Sequence, residues 1–203
     1  MSDAYFDGEV FDRHRKIQLP ENEWSGKNSL QTFYTISVDV GRKGCQTVAM
    51  VIKTMPQPQG PAMKAVVNIF TMEDEHFEDQ CIKLKKLFYR YKARRLVIDG
   101  NGLGIGLVDY LIKPQNVGSP DYLPPFGVYN DSEGYYKKYK TDDTEDNAIY
   151  IIKANATLNT EAHANLQTQL MAGKIKFLID ERSAKAKLMN SVAGQKMSAE
   201  DRA

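Results

Sequence analysis

Three β-forming segments follow one another between residues 32 and 70, joined by connections too short to hold a crossover helix: TFYTISVDV (32–40), TVAMVIKTM (47–55) and MKAVVNIF (63–70). In the first, Phe33, Thr35, Ser37 and Asp39 fall on one face and Tyr34, Ile36, Val38 and Val40 on the other, the period-two pattern of a strand. The separators are a glycine turn at 41–44 and PQPQGP at 56–61, where proline cannot continue a ladder. Short links between successive strands make antiparallel neighbours, so the ordered chain opens as a three-stranded meander.

Next, Thr71 to Asp74 fits a capping box. Phe77, Cys81, Leu84, Phe88 and Tyr91 then recur at three- and four-residue steps, the apolar stripe of an amphipathic helix about four turns long. RLVID (95–99) has no room for alternation and reads as a strand buried on both faces. A helix between two strands makes a crossover, which sets this fourth strand parallel to one of the first three.

Beyond it, the pattern predicts a helix over 105–112 stopped by Pro114, a proline-rich loop over 113–125 and a fifth strand at FGVY (126–129). Residues 130–146 have almost no aliphatic content and read as mobile. Helical segments are expected at 145–156 and 160–172, a strand at KIKFLID (174–180) and a weak helix over 181–190. Residues 1–32 are polar, hold Pro20 and the only tryptophan, Trp24, and read as a connector or arm. Residues 33–203 read as one α/β domain, a mixed sheet flanked by helices. No element closes it at its C-terminal end, so it reads as incomplete there.

Composition sets bounds. No apolar run approaches the roughly 18 residues that span a bilayer, and the N-terminus has no signal-peptide core. Cys45 and Cys81 lack metal-ligand spacing and are expected as two small buried thiols in a reduced, cytosolic protein. His14, His76 and His163 share no local spacing. Net charge is only +1, but five acids between Glu73 and Asp79 precede seven bases between Lys83 and Arg95. Helix-dipole complementarity and phosphate binding both account for that order. YYKKYK (135–140) interleaves aromatics with Lys137, Lys138 and Lys140, a pattern suited to contacting a nucleic-acid backbone.

LVIDGNGLGIGLVDYL (96–111) admits two chemistries. As a phosphate loop it fails: Leu107 stands where the third glycine of G-x-G-x-x-G belongs, and the Walker pattern is absent from the whole chain. As a strand delivering a carboxylate it has a partner. Asp39 and Asp99 both follow apolar β-formers and both precede a glycine. If strands one and four are parallel neighbours, the two carboxylates stand side by side at strand C-termini, where they repel unless a cation intervenes. Hard oxygen ligands suit Mg²⁺ or Mn²⁺. Two such ions about 3.5–4 Å apart can stabilise both oxygens of a phosphodiester cleavage. The glycines are then expected to give a DNA backbone clearance and to serve the turn into the next helix. The competing reading is that each aspartate only caps its own turn.

Taken together, SVDVGRKG, the helix FEDQCIKLKKLFYRYKARR, VIDGNGLG and NTEAHANLQTQLMAGKIKFLIDE resemble the C-terminal nuclease domain of tailed-phage terminase large subunits over most of 33–190. The resemblance implies an RNase H-like fold and a two-metal endonuclease that cuts concatemeric viral DNA in the cytoplasm of an infected bacterium. It makes Asp39 and Asp99 metal-binding and catalytic. It places Arg42, Lys43, Lys137, Lys138, Lys140 and the bases of 83–95 as DNA contacts. Partners implied are double-stranded DNA, an ATPase domain that this chain lacks, the portal and the small terminase subunit, with no membrane. The family's third acid sits on a late helix with no match here. Asp180 is the nearest substitute, ahead of Glu200 and Asp201. Alternatives are a resolvase- or transposase-type nuclease, a non-catalytic DNA- or partner-binding fragment, and half of a sugar-kinase or actin-like ATPase.

Overall fold

The computed structural model describes residues 8–26, 31–41, 45–118 and 122–180. The meander is β2 (Phe33–Asp39), β3 (Gln46–Met55) and β4 (Met63–Glu73), preceded by a short helix α1 (Gly8–Arg13) and strand β1 (Arg15–Ile17). Helix α2 (Phe77–Arg90) leads to β5 (Arg95–Asp99), α3 (Leu103–Leu111) and a small hairpin, β6 (Gln115–Asn116) with β7 (Tyr122–Leu123). Then come β8 (Phe126–Val128), β9 (Glu145–Ile152), α4 (Ala156–Met171) and β10 (Ile175–Leu178).

Eight strands form one sheet in the order β1-β10-β4-β3-β2-β5-β9-β8. Every strand but β3 runs the same way, because β3 alone pairs antiparallel with its neighbours. Both the meander and the parallel crossover onto β5 are as the sequence predicts. Tyr34, Ile36 and Val38 of β2 pack with Leu96 and Ile98 of β5 and with Cys81, Leu84 and Phe88 of α2 in a single core. Apolar area removed from water there is the main stabilising term, roughly 25 cal/mol per Å².

Several elements differ from the sequence reading, each for a physical reason. Thr71 to Glu73 do not cap a helix; they extend β4 against Gln46, Thr47 and Val48. The chain turns only at Asp74, with φ 50°, and His76 opens α2 without a side-chain cap. Strand pairing outweighed the local capping signal. β5 is buried on one face only, with Leu96 and Ile98 inside and Val97 half-buried. Residues 145–152 are a strand rather than a helix: Ile149, Tyr150, Ile151 and Ile152 favour a pleat, and β9 fills the slot between β5 and β8.

Residues 130–146, expected as a loop, contain a hydrogen-bonded turn. The Asp131 carboxylate accepts the Tyr135 and Tyr136 amides, each at 2.8 Å, and leads into a 3-10 turn at Lys137–Tyr139. Of the thiols, Cys81 is buried but Cys45 is exposed. Burial pushes the Cys81 thiol up to about 12.

The N-terminal arm is stitched to the sheet. β1 runs parallel to β10 at the edge. Glu21 accepts from Tyr34 Oη (2.5 Å), Lys53 Nζ (2.8 Å) and Ser25 Oγ (3.0 Å), and its carbonyl accepts from Asn68 Nδ2 and Tyr91 Oη. Burial would raise the Glu21 pKa, but these donors outweigh it and hold the carboxyl below its ordinary value. The expected helix at 181–190, along with Glu200 and Asp201, lies outside the described residues.

Candidate functional site

β2 and β5 are adjacent and parallel, with Val38 paired to Ile98. The next residue on each strand is an aspartate, so Asp39 and Asp99 emerge together at the C-terminal end of the sheet. Both are exposed, and both line one cleft with Ser37, Met50, Val97 and Ile152, on the face of the sheet away from Leu96 and Ile98. Asp99 Oδ1 accepts the Asn101 amide at 2.9 Å, and Asn101 Nδ2 in turn holds the Ala154 carbonyl at the end of β9. No other hydrogen bond or ion pair to either carboxylate exists among the described residues.

Two buried polar residues that the sequence reading passed over hold Gly41, two residues after Asp39. Thr47 Oγ1 accepts the Gly41 amide at 2.8 Å and lies 2.8 Å from Gln80 Oε1. Gln80 Nε2 donates to the Gly41 and Glu75 carbonyls. Gln80 sits among Phe77, Cys81 and Leu84 on the inward face of α2, and a polar residue in that stripe is the signal that could have found it.

Two of the glycines serve the turn into the next helix, as expected. Gly102 has φ 65° and turns the chain from β5 into α3. A Cβ on Gly104 would lie 1.7 Å from the Asp99 carbonyl oxygen. The absence of that atom lets α3 sit directly on the strand end that presents Asp99.

The other predicted contacts scatter. Lys138 Nζ stands 4.6 Å and 5.0 Å from the ring centres of Tyr135 and Tyr139, and Lys140 is paired with Asp146. Lys137 is exposed on the same turn. Lys83 pairs with Glu75. Lys85, within the basic run of α2, is fully buried and cannot meet DNA. Its amine donates to the Lys113 and Pro124 carbonyls (2.6 and 2.7 Å) beside the Phe126 ring, and burial lowers its pKa to about 8. Arg42 and Lys43 lie outside the described residues. Asp180 follows β10, which is three strands from β2, about 14 Å away at roughly 4.8 Å per strand. The structure does not bring it to Asp39 and Asp99. No group of three or more His, Cys, Asp or Glu able to hold a metal forms among the described residues.

Comparison with solved structures decides the architecture. The large terminase nuclease of thermophilic phage G20c with bound magnesium aligns at TM-score 0.51 and 17% identity, over 85% of this chain and 75% of that one. The same nuclease with bound zinc aligns at TM-score 0.50 and 17% identity, over 90% and 88%. With bound cobalt it aligns at TM-score 0.50 and 17% identity, over 85% and 74%. This chain has their RNase H-like fold. No protein-family model matches it, and no curated protein does. No described helix is long and apolar enough to cross a membrane.

Asp39 and Asp99 fit a divalent cation. They are hard oxygen donors, exposed, adjacent and of like charge. Magnesium commonly takes one or two carboxylates and completes its shell with water and substrate phosphate. Two carboxylates are therefore a sufficient start for such a site.

Proposed function

We propose that this chain is the nuclease module of a viral DNA-packaging terminase, a metal-dependent endonuclease that hydrolyses phosphodiester bonds of concatemeric double-stranded DNA. The observation that carries the reading is the Val38–Ile98 register, which sets two exposed carboxylates side by side at strand ends. The fold shared with nucleases solved with magnesium, cobalt and zinc supports it.

Asp39 and Asp99 would hold Mg²⁺ or Mn²⁺, one ion or two. The chemistry such ions supply when bound is charge stabilisation on the attacking and leaving oxygens of the phosphate. The Asn101 amide fixes the Asp99 carboxylate, and Thr47 and Gln80 hold Gly41 just after Asp39. Arg42, Lys43, Lys137 and Lys138 are candidate backbone contacts; Lys140 becomes one if its pair with Asp146 opens. An upstream ATPase domain, the portal and the small subunit would be its partners in the host cytoplasm, with 1–32 as connector and 33–203 as the nuclease domain.

Plasmid nicking with Mn²⁺ tests this. The chain is expected to nick, and Asp39→Asn and Asp99→Asn to lose the activity. If both variants nick at the original rate, the site is wrong. That only two acids meet among the described residues favours a second reading, DNA binding without cleavage. Tight duplex binding with no nicking at any metal concentration would select it.

A further inference from the structure

A second recess opens at the same end of the sheet, and the proposed hydrolysis does not use it. It has a volume of about 460 Å³ and is walled by Tyr135, Tyr136, Ser132, Glu133 and Lys153. That size is within the range of small-ligand sites. β8 and β9 run parallel to β5, so their ends reach the rim where Asp99 stands.

Strand alternation puts the two recesses on opposite faces. Ile152, paired with Asp99, and Ala154 line the acid cleft, whereas Ile151 and Lys153 line the second recess. Lys153 thus belongs to the second recess, next in the chain to Ile152 and Ala154 of the acid cleft. It is exposed, and among the described residues its ammonium has no hydrogen bond or ion pair. On the same recess, Tyr135 is 57% exposed and nearly perpendicular to Tyr136, at 4.9 Å between ring centres. The Asp131 carboxylate accepts both of their amides, so the ring is presented from a fixed turn.

These groups suit the two halves of a nucleotide: the Lys153 cation for phosphate and, for a base, the exposed Tyr135 ring, which Lys138 Nζ already approaches to 4.6 Å. The exposed Glu133 carboxylate on the wall repels phosphate and can accept from base amino groups, which favours phosphate toward Lys153 and base toward Tyr135. A base stacked in a duplex cannot reach such a recess; it must leave the stack. We propose that the recess is a subsite for one unpaired nucleotide beside the cleavage position, with its phosphate on Lys153 and its base against Tyr135. The proposal rests on the nuclease reading of the Asp39–Asp99 rim.

The test is binding of a short fluorescein-labelled oligo(dC) and of a blunt duplex, in EDTA so that no cleavage intervenes, followed by anisotropy. Lys153→Ala and Tyr135→Ala should each weaken single-strand binding about fivefold or more. Lys153→Arg and Tyr135→Phe should stay within about twofold of the parent, because charge and aromatic face survive. Lys153→Ala should also flatten the logarithmic salt dependence by about 0.7, and Tyr135→Ala should leave duplex binding within about twofold. Absent single-strand binding, binding unchanged in both alanine variants, or equal loss on duplex would overturn the subsite. Plasmid nicking by the parent, run in parallel with Mn²⁺, separates the two ideas. Variant-sensitive single-strand binding without nicking keeps the recess as a nucleotide site and sinks the nuclease reading. Nicking with variant-insensitive binding does the reverse.

Discussion

The two ends of the central strand β2 are built on opposite terms. Where it begins, Tyr34 joins Lys53 and Ser25 around the Glu21 carboxylate, so the charge there is answered from within the fold. Where it ends, Asp39 and Asp99 stand exposed with one backbone amide between them. The closed end ties the N-terminal arm to the sheet. At the open end, like charges accumulate without a described cationic partner, which costs stability and leaves coordination capacity for something outside the chain.

The sharpest way to break this contrast is at the open end. Asp39→Asn and Asp99→Asn are each expected to slow nicking by roughly 100-fold or more. Each should keep thermal stability within about 0.5 kcal/mol of the parent, since an exposed like-charge pair is relieved. A loss of several kcal/mol instead would mark the aspartates as caps.

Gly104→Ala strikes the support of that end. The new methyl meets the Asp99 carbonyl, so urea titration should show a loss of about 2–3 kcal/mol, with nicking impaired alongside. Unchanged stability would mean that α3 is free to move off the strand.

Lys85→Met tests a charge buried away from both ends, under the Lys113 and Pro124 carbonyls. It strips the donor from two carbonyls and is expected to cost about 1–3 kcal/mol. Because burial lowers the folded pKa of Lys85 from 10.5 to about 8, the unfolded chain binds the extra proton between those values. Stability should therefore rise with pH across that window in the parent, and this rise should vanish in Lys85→Met.

At the closed end, Glu21→Gln should cost about 1–2 kcal/mol by chemical denaturation. The folded Glu21 pKa lies below its ordinary 4.5, so the contribution is present above pH 4.5 and disappears as pH falls through the folded value. The difference between parent and variant should shrink in acid accordingly. The smallest effect is expected from Lys140→Ala, under about 0.5 kcal/mol, because its pair with Asp146 is exposed on both sides.

The three-stranded meander and a parallel fourth strand were legible because they rest on period-two alternation and on the rule that a crossover makes strands parallel; that β5 joins β2, and so sets Asp39 beside Asp99, was one of three choices the pattern left open. What stayed hidden was decided by distant partners. β9 reads as helix until β5 and β8 supply a slot for Ile149 and Ile151. Lys85 reads as one base in a basic run until the Pro124 carbonyl closes over it. Glu21 sits in an arm with no periodicity, and apart from Ser25 its partners are Tyr34, Lys53, Asn68 and Tyr91, all beyond the arm. The glycines after Asp99 invite a ligand-centred reading because the carbonyl that Gly104 touches cannot be seen in a sequence.

The unequal burial of the two thiols has a practical side. Cys81 is sealed in the core, with a pKa pushed to about 12, and will not alkylate while the fold persists. Cys45 is exposed three residues before Val48, the strand partner of Asp39. A maleimide fluorophore should therefore load at one position in the native chain, close to the carboxylates, with no engineered cysteine. Titrating divalent ions or oligonucleotides against that dye would follow events at the rim directly, and labelling at a second position would announce that the core had opened.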